Sequence, residues 1–258
     1  ISRNKFNNIE INQNSSAIYI ENPSDITFDN NEFNKLIGTG TGHALLLTFD
    51  TLEDKPLIGN KFQNIPSGDG LIFIRSADDI ETNYTFDGWK LNNIHQNGGG
   101  IINVDNVKNV TYGLELKNCK FNYNTNIDGG ALLVNQETFP NCYALFIIDC
   151  DFMSNEASGK GGCIAVTADA DIIIFSNGED KVNFNLNKAS QGGGAIYIQP
   201  TSGTERRRCT IEGHVNFNRN SGKDSHCIWI DAPSSFDDNF ILELLGTNFA
   251  DSNGNNDV

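Results

Sequence analysis

Short bursts of alternating apolar residues, each led by small residues, recur along this chain. The clearest is QGGGAIYI at positions 191–198, and DGGALLV (128–134), KGGCIAV (160–166) and NGGGIINV (97–104) repeat it. Looser versions are SSAIYI (15–20), GHALLL (42–47), GLIFI (70–74) and SHCIWI (225–230). The residue after the small pair serves as a marker: Ala17, Ala44, Leu71, Ile101, Ala131, Cys163, Ala195 and Cys227, at spacings that drift from 27 to 32. A second marker keeps step with it: Phe6, Phe33, Phe62, Leu91, Phe121, Phe152, Phe184, Phe217 and Phe249, at spacings of 27 to 33. Two markers sharing one drifting period define a repeat array, because self-similarity at about 20–50 residues is the mark of solenoids, propellers and arrays.

Alternation within each glycine-led burst is the period of a strand. It predicts two inward ladders, one running from Ile18 through Leu132 to Ile228 and one from Ile20 through Val134 to Ile230, with the Phe column as a third. A further strand precedes each Phe, read from DITF (25–28), YTF (84–86), LEL (114–116), LFII (145–148), DIIIF (171–175), CTI (209–211) and ILEL (241–244). No helical period intervenes. The pattern predicts an all-β, right-handed parallel β-helix, a β-solenoid of about eight coils of 27–33 residues with three strands per coil, forming one domain over residues 1–258. Right-handed coiling is the default for parallel crossovers, and coils stack at about 4.8 Å. The recurring glycine pair predicts a corner that needs positive φ or close backbone approach. Asn124, Asn155, Asn187 and Asn220 fall three residues after their Phe, where stacked carboxamides hydrogen-bond along the axis. Ile9, Leu36, Ile65 and Ile94 hold that place in the N-terminal repeats, which predicts a rounder, apolar corner there.

Charge narrows the function. The chain carries 18 basic and 33 acidic residues, net −15, which argues against a nucleic-acid partner, since phosphate binding needs clustered Lys and Arg. The cluster Arg206, Arg207, Arg208 reads as a solvated loop. No apolar run approaches the roughly 18 residues of a membrane span, and no signal peptide is expected. Ile1 stands where a preceding coil should end, so the expectation is a segment of a larger repeat protein with uncapped ends able to stack. With no C-x-x-C and with His43, His95, His214 and His226 at unrelated places in the repeat, neither a metal nor a cofactor is expected.

GGAL at 129–132, GGCI at 161–164 and GGAI at 193–196 alternate with FNYN, FMSN, FNLN and FNRN. This alternation resembles the polymorphic outer membrane protein (Pmp) repeats of chlamydial autotransporter adhesins and of large surface proteins of some protists. The likeness is good over residues 121–220 and partial over 6–97. It implies a secreted or surface-exposed β-helical protein with adhesion as the usual role, and it transfers no binding residue.

Cys119 and Cys150 stand two residues before their Phe in adjacent repeats, within reach of a disulfide and equally suited to a reduced thiol ladder in the core. Asn14, Asn83 and Asn109 lie in N-x-S/T sequons, glycosylation sites if the chain is an exposed eukaryotic glycoprotein. The outward face of the glycine-led strand is apolar, with Tyr19, Leu46, Phe73, Leu133, Tyr197 and Trp229 along it. Such a stripe calls for cover: the chain's own connections such as 136–143 or 200–208, a protein partner or second copy, or a stacked sugar. No matched carboxylate pair marks a catalytic centre. The expectation is therefore a non-enzymatic extracellular or cell-surface protein, an adhesin or a structural component of a surface layer or filament. It would self-associate or bind a surface protein or glycan through that stripe or the ends. The alternative is a β-helix that binds or cleaves polysaccharide.

Overall fold

The computed structural model describes residues 1–11, 17–21, 27–38, 44–49, 57–66, 71–76, 82–97, 101–106, 112–135, 142–168, 170–178, 181–200, 207–225, 227–231 and 240–250. Every strand pairing in it is parallel, and the strands stack as a β-helix. The backbone of the helix is a nine-stranded sheet, one strand from each pass of the chain, running from Lys5–Asn7 through Lys120–Asn122 to Asn248–Ala250. Its register pairs each marker Phe with the next, Phe6 with Phe33 and so on to Phe217 with Phe249.

The rings in this column stack face to face, with centroids 4.8 Å apart for Phe6 and Phe33, 4.9 Å for Phe152 and Phe184, and 5.0 Å for Phe217 and Phe249. Each such pair adds about 0.5–1.5 kcal/mol beyond the area it buries. Leu91 interrupts the column, and Trp89 fills the gap: its ring lies 5.3 Å from Phe62 and meets Phe86 edge-on.

A second sheet of seven strands runs from Leu57–Ile58 through Thr82–Asp87 and Cys142–Ile148 to Phe240–Leu245. It contains every pre-Phe strand expected from 84 onward, while 25 and 26 fall outside the described residues. Arg207 and Arg208 open one of its strands, Arg207–Glu212, instead of lying in a loop. The glycine-led strands form two separate four-stranded sheets, Ile18–Glu21 to Ile102–Asn106 and Leu132–Asn135 to Ile228–Ile230. Fewer coils than the eight expected carry all three strands among the described residues. Short two-residue strands such as Thr125–Asn126, Glu156–Ala157 and Lys188–Ala189 add a fourth side to some.

The corners obey one rule. The residue two after the marker has φ near +55° in all eight repeats where it is described: Asn8, Lys35, Asn64, Asn93, Tyr123, Ser154, Leu186 and Arg219. The N-terminal corner is apolar, with Leu36, Ile65 and Ile94 buried, and strands Lys61–Ile65 and Lys90–Ile94 run unbroken through it where the later coils split into Lys120–Asn122 and Thr125–Asn126 or Asp151–Met153 and Glu156–Ala157.

Two asparagine ladders line these corners. In the C-terminal half Asn155 and Asn187 repeat one set of bonds: Asn187 Oδ1 accepts from the Asn155 backbone N–H and from Asn155 Nδ2, both at 3.0 Å. Its own Nδ2 donates to the carbonyl of Phe152 at 3.1 Å. The N-terminal half places its ladder on the other flank of the Phe strand, two residues before the marker, at Asn4, Asn31 and Asn60. At that flank each residue serves the same column of carbonyls: Asn60 Nδ2 donates to Phe28, Trp89 Nε1 to Leu57, Cys119 Sγ to Phe86 and Cys150 Sγ to Leu116. The ladder thus changes corners midway, with Trp89 and two thiols as the transition.

Candidate binding face

Residues on either side of each marker Phe point away from the core, because successive strand side chains alternate. They form two polar columns on the outer face of the Phe sheet. In the column before Phe, Lys5 and Lys61 flank Glu32 at 3.7 and 3.4 Å, and after the run Lys61, Lys90, Lys120 the last of these meets Asp151 at 3.2 Å. Beyond Asp151 the column becomes a chain of carboxamides. Asn183 Nδ2 donates to Asp151 at 2.8 Å, Asn216 Nδ2 to Asn183 Oδ1 at 3.0 Å, and Asn248 Nδ2 to Asn216 Oδ1 at 3.4 Å.

The column after Phe behaves differently. Asn92, Asn122, Asn185 and Asn218 each carry a side-chain oxygen that is buried and lacks a hydrogen-bond partner. An acceptor left this way costs about 1–3 kcal/mol, a cost relieved when the carboxamide turns and meets a donor. Between the columns lies a groove of about 590 Å³, lined by Lys120, Asn122, Asp151, Met153, Lys181, Asn183, Asn185, Asn216, Asn218 and Asn248. Its side chains are donors and acceptors, with Met153 the apolar contact. Asp151 is its one carboxylate, and that group is held by Lys120 and Asn183.

Among its described members, the apolar stripe expected on the glycine-led strands is covered at its C-terminal end. Leu133 and Tyr197 are buried together with Ala165, and Trp229 packs on them, partly buried, its ring edge-on to Tyr197 at 6.0 Å. The cover comes from the glycine corners, which lie close against the strand they introduce and, at Gly192, against the Trp229 ring of the next coil. A side chain on Gly161 would strike the carbonyl of Ile164, and one on Gly192 would occupy the Trp229 ring. Gly161 also sits at φ +64°, where L side chains are strained.

The Tyr197 hydroxyl is satisfied inside this cover. It accepts from Lys160 Nζ at 2.7 Å and donates to Asp231 Oδ2 at 2.8 Å. Burial first, then the bond to Asp231, pushes its pKa well above the ordinary phenol value. Tyr19 is the member of the stripe that stands out, 55% exposed. The side chains of Leu46 and Phe73 lie outside the described residues.

Cys119 and Cys150 stand as free, buried thiols in adjacent coils. Each thiol donates to a carbonyl of the preceding coil, and the Cys119 backbone N–H reaches Cys150 Sγ at 3.3 Å. Asn14 and Asn109 lie outside the described residues. Asn83 is within strand Thr82–Asp87, paired with Gly113, and its side chain is not among those described. No group of three or more His, Cys, Asp or Glu suited to a metal ion occurs among the described residues. No helix there is long and apolar enough to cross a membrane.

The groove is the feature that sequence reasoning missed. Its signal was present as N-F-N at 183–185 and 216–218, but polar residues flanking a buried Phe read equally as a solvated face. No protein family, no curated protein and no solved structure matches this chain.

Proposed function

We propose that this chain is a non-enzymatic, surface-exposed or secreted β-helical adhesin that holds an extended polar ligand on the outer face of its Phe sheet. The observation that carries the reading is the groove, with its carboxamide columns and unpartnered amide oxygens. A binding surface of this kind offers polar groups that a ligand satisfies, here by drawing the buried amide oxygens round to its own donors. The lone, already paired Asp151 supports binding over cleavage, because glycoside hydrolysis uses two carboxylates about 5–9.5 Å apart. The alternation of GGA[ILV] with F-x-x-N, which resembles Pmp repeats, supports the adhesin role. The buried state of Leu133 and Tyr197 moves the ligand face away from the apolar stripe.

Beads coated with the protein, applied to fixed epithelial monolayers, test the reading. Wild type is expected to adhere, and Asn185→Ala/Asn218→Ala to lose most of that adhesion with its circular dichroism unchanged. Equal adhesion by a folded double variant overturns the groove as the ligand face.

A further inference from the structure

We infer that the groove takes an uncharged, extended β-linked glycan lying along the axis of the coil stack, one sugar ring to each coil. The inference rests on the binding reading above and names its ligand.

Spacing comes first. The groove rides on five successive strands of the Phe sheet, Lys120–Asn122, Asp151–Met153, Val182–Asn185, Val215–Asn218 and Asn248–Ala250. Parallel strands stack at about 4.8 Å, so equivalent side chains span about 19 Å along the axis. That step is close to the length of one pyranose unit in a β-linked chain, which lets a single contact pattern repeat from coil to coil.

Chemistry comes second. A sugar offers several hydroxyl donors per ring, and Asn122, Asn185 and Asn218 each carry a carboxamide whose buried oxygen has no donor and gains one once the side chain turns toward the ligand. The neighbouring chain Asp151, Asn183, Asn216, Asn248 runs in one direction; Asn183 spends its second amide hydrogen on the Lys181 carbonyl, while Asn216 and Asn248 each donate one along the chain and keep the other for a ring or hydroxyl oxygen. Met153 gives the wall an apolar contact for the C–H face of a ring.

Charge and backbone remove the competitors. Lys120 is paired with Asp151 at 3.2 Å, which leaves Lys181 as the other cation of the groove lining, too little to hold a polyanion against a chain of net charge −15. A peptide strand gains its affinity by pairing with an open sheet edge, whereas these strands pair on both sides through most of the groove.

The test is titration calorimetry of the whole chain with cello- and chito-oligosaccharides, dimer to hexamer. Affinity is expected to climb with each added sugar until the glycan spans the five strands, and then to level off. Asn185→Ala/Asn218→Ala is expected to weaken binding of the longest oligomer about tenfold or more, with the unfolding midpoint unchanged. Tyr19→Ala, on another face, keeps wild-type affinity. Should the double variant not fold, Met153→Lys on the same wall is read in its place.

Binding that ignores chain length or survives the groove variants overturns the proposal. So does the absence of binding by every oligomer in the series. The broader reading is judged separately by the bead assay. Adhesion lost in the groove variants but not competed by any of these glycans retains the ligand face and discards the glycan. Adhesion unchanged in those variants discards both.

Discussion

Asn187 connects three coils with one carboxamide. Its oxygen takes two N–H groups from Asn155 of the preceding coil, and its nitrogen serves the Phe152 carbonyl there and Asn220 Oδ1 in the following one. Asn187→Ala removes all of these partners in a fully buried place, and each orphaned group costs about 1–3 kcal/mol. Urea unfolding is expected to show a loss of about 3 kcal/mol or more. Asn183→Ala, in the partly exposed column, should stay within about 0.5 kcal/mol. The buried thiols supply a second expectation. Burial pushes Cys209 up to about 12 from an ordinary 9.0, and raises Cys163 and Cys150 as well. A raised folded-state pKa means stability that is whole below the unfolded value and is lost as pH climbs through the folded one. The unfolding midpoint should therefore hold level up to about pH 9 and fall between 9 and 12. Cys209→Val should make that fall shallower, as thermal scans across this range will read.

At the scale of the element, the strands were legible because period-two alternation and a recurring Phe are strong local signals. The Phe column and its register follow directly from sequence spacing. Two-residue strands such as Glu156–Ala157 are too short to leave a period. The N-terminal ladder of Asn4, Asn31 and Asn60 was hidden among other asparagines, since identity alone does not tell which flank of a corner a carboxamide occupies. The apolar stripe shows the same limit from the other side. Alternation establishes that Tyr197 points away from the main core, but the close approach of Gly192 to Trp229 depends on contacts that no local pattern encodes. For the groove, sequence gave polar columns without distinguishing Asn183, which is tied into a chain, from Asn185, whose oxygen is left unpaired.

Across the whole molecule, each coil contacts chiefly its neighbours, so stability is close to a sum of coil interfaces. Those interfaces are not equal. Between the coils holding Leu91 and Phe121 the Phe sheet and the seven-stranded sheet continue, but the glycine-led sheet stops at Ile102–Asn106 and restarts at Leu132–Asn135. At this junction Gln96 is buried with both side-chain amide atoms unpartnered, and the asparagine ladder has changed corners. Under tension along the stack, this junction is expected to be the interface that parts first. Pulled end to end in an optical trap, the rod should lengthen in two separate steps, yielding first at this interface. A single rupture of the whole chain would mean that two continuous sheets carry the force as well as three.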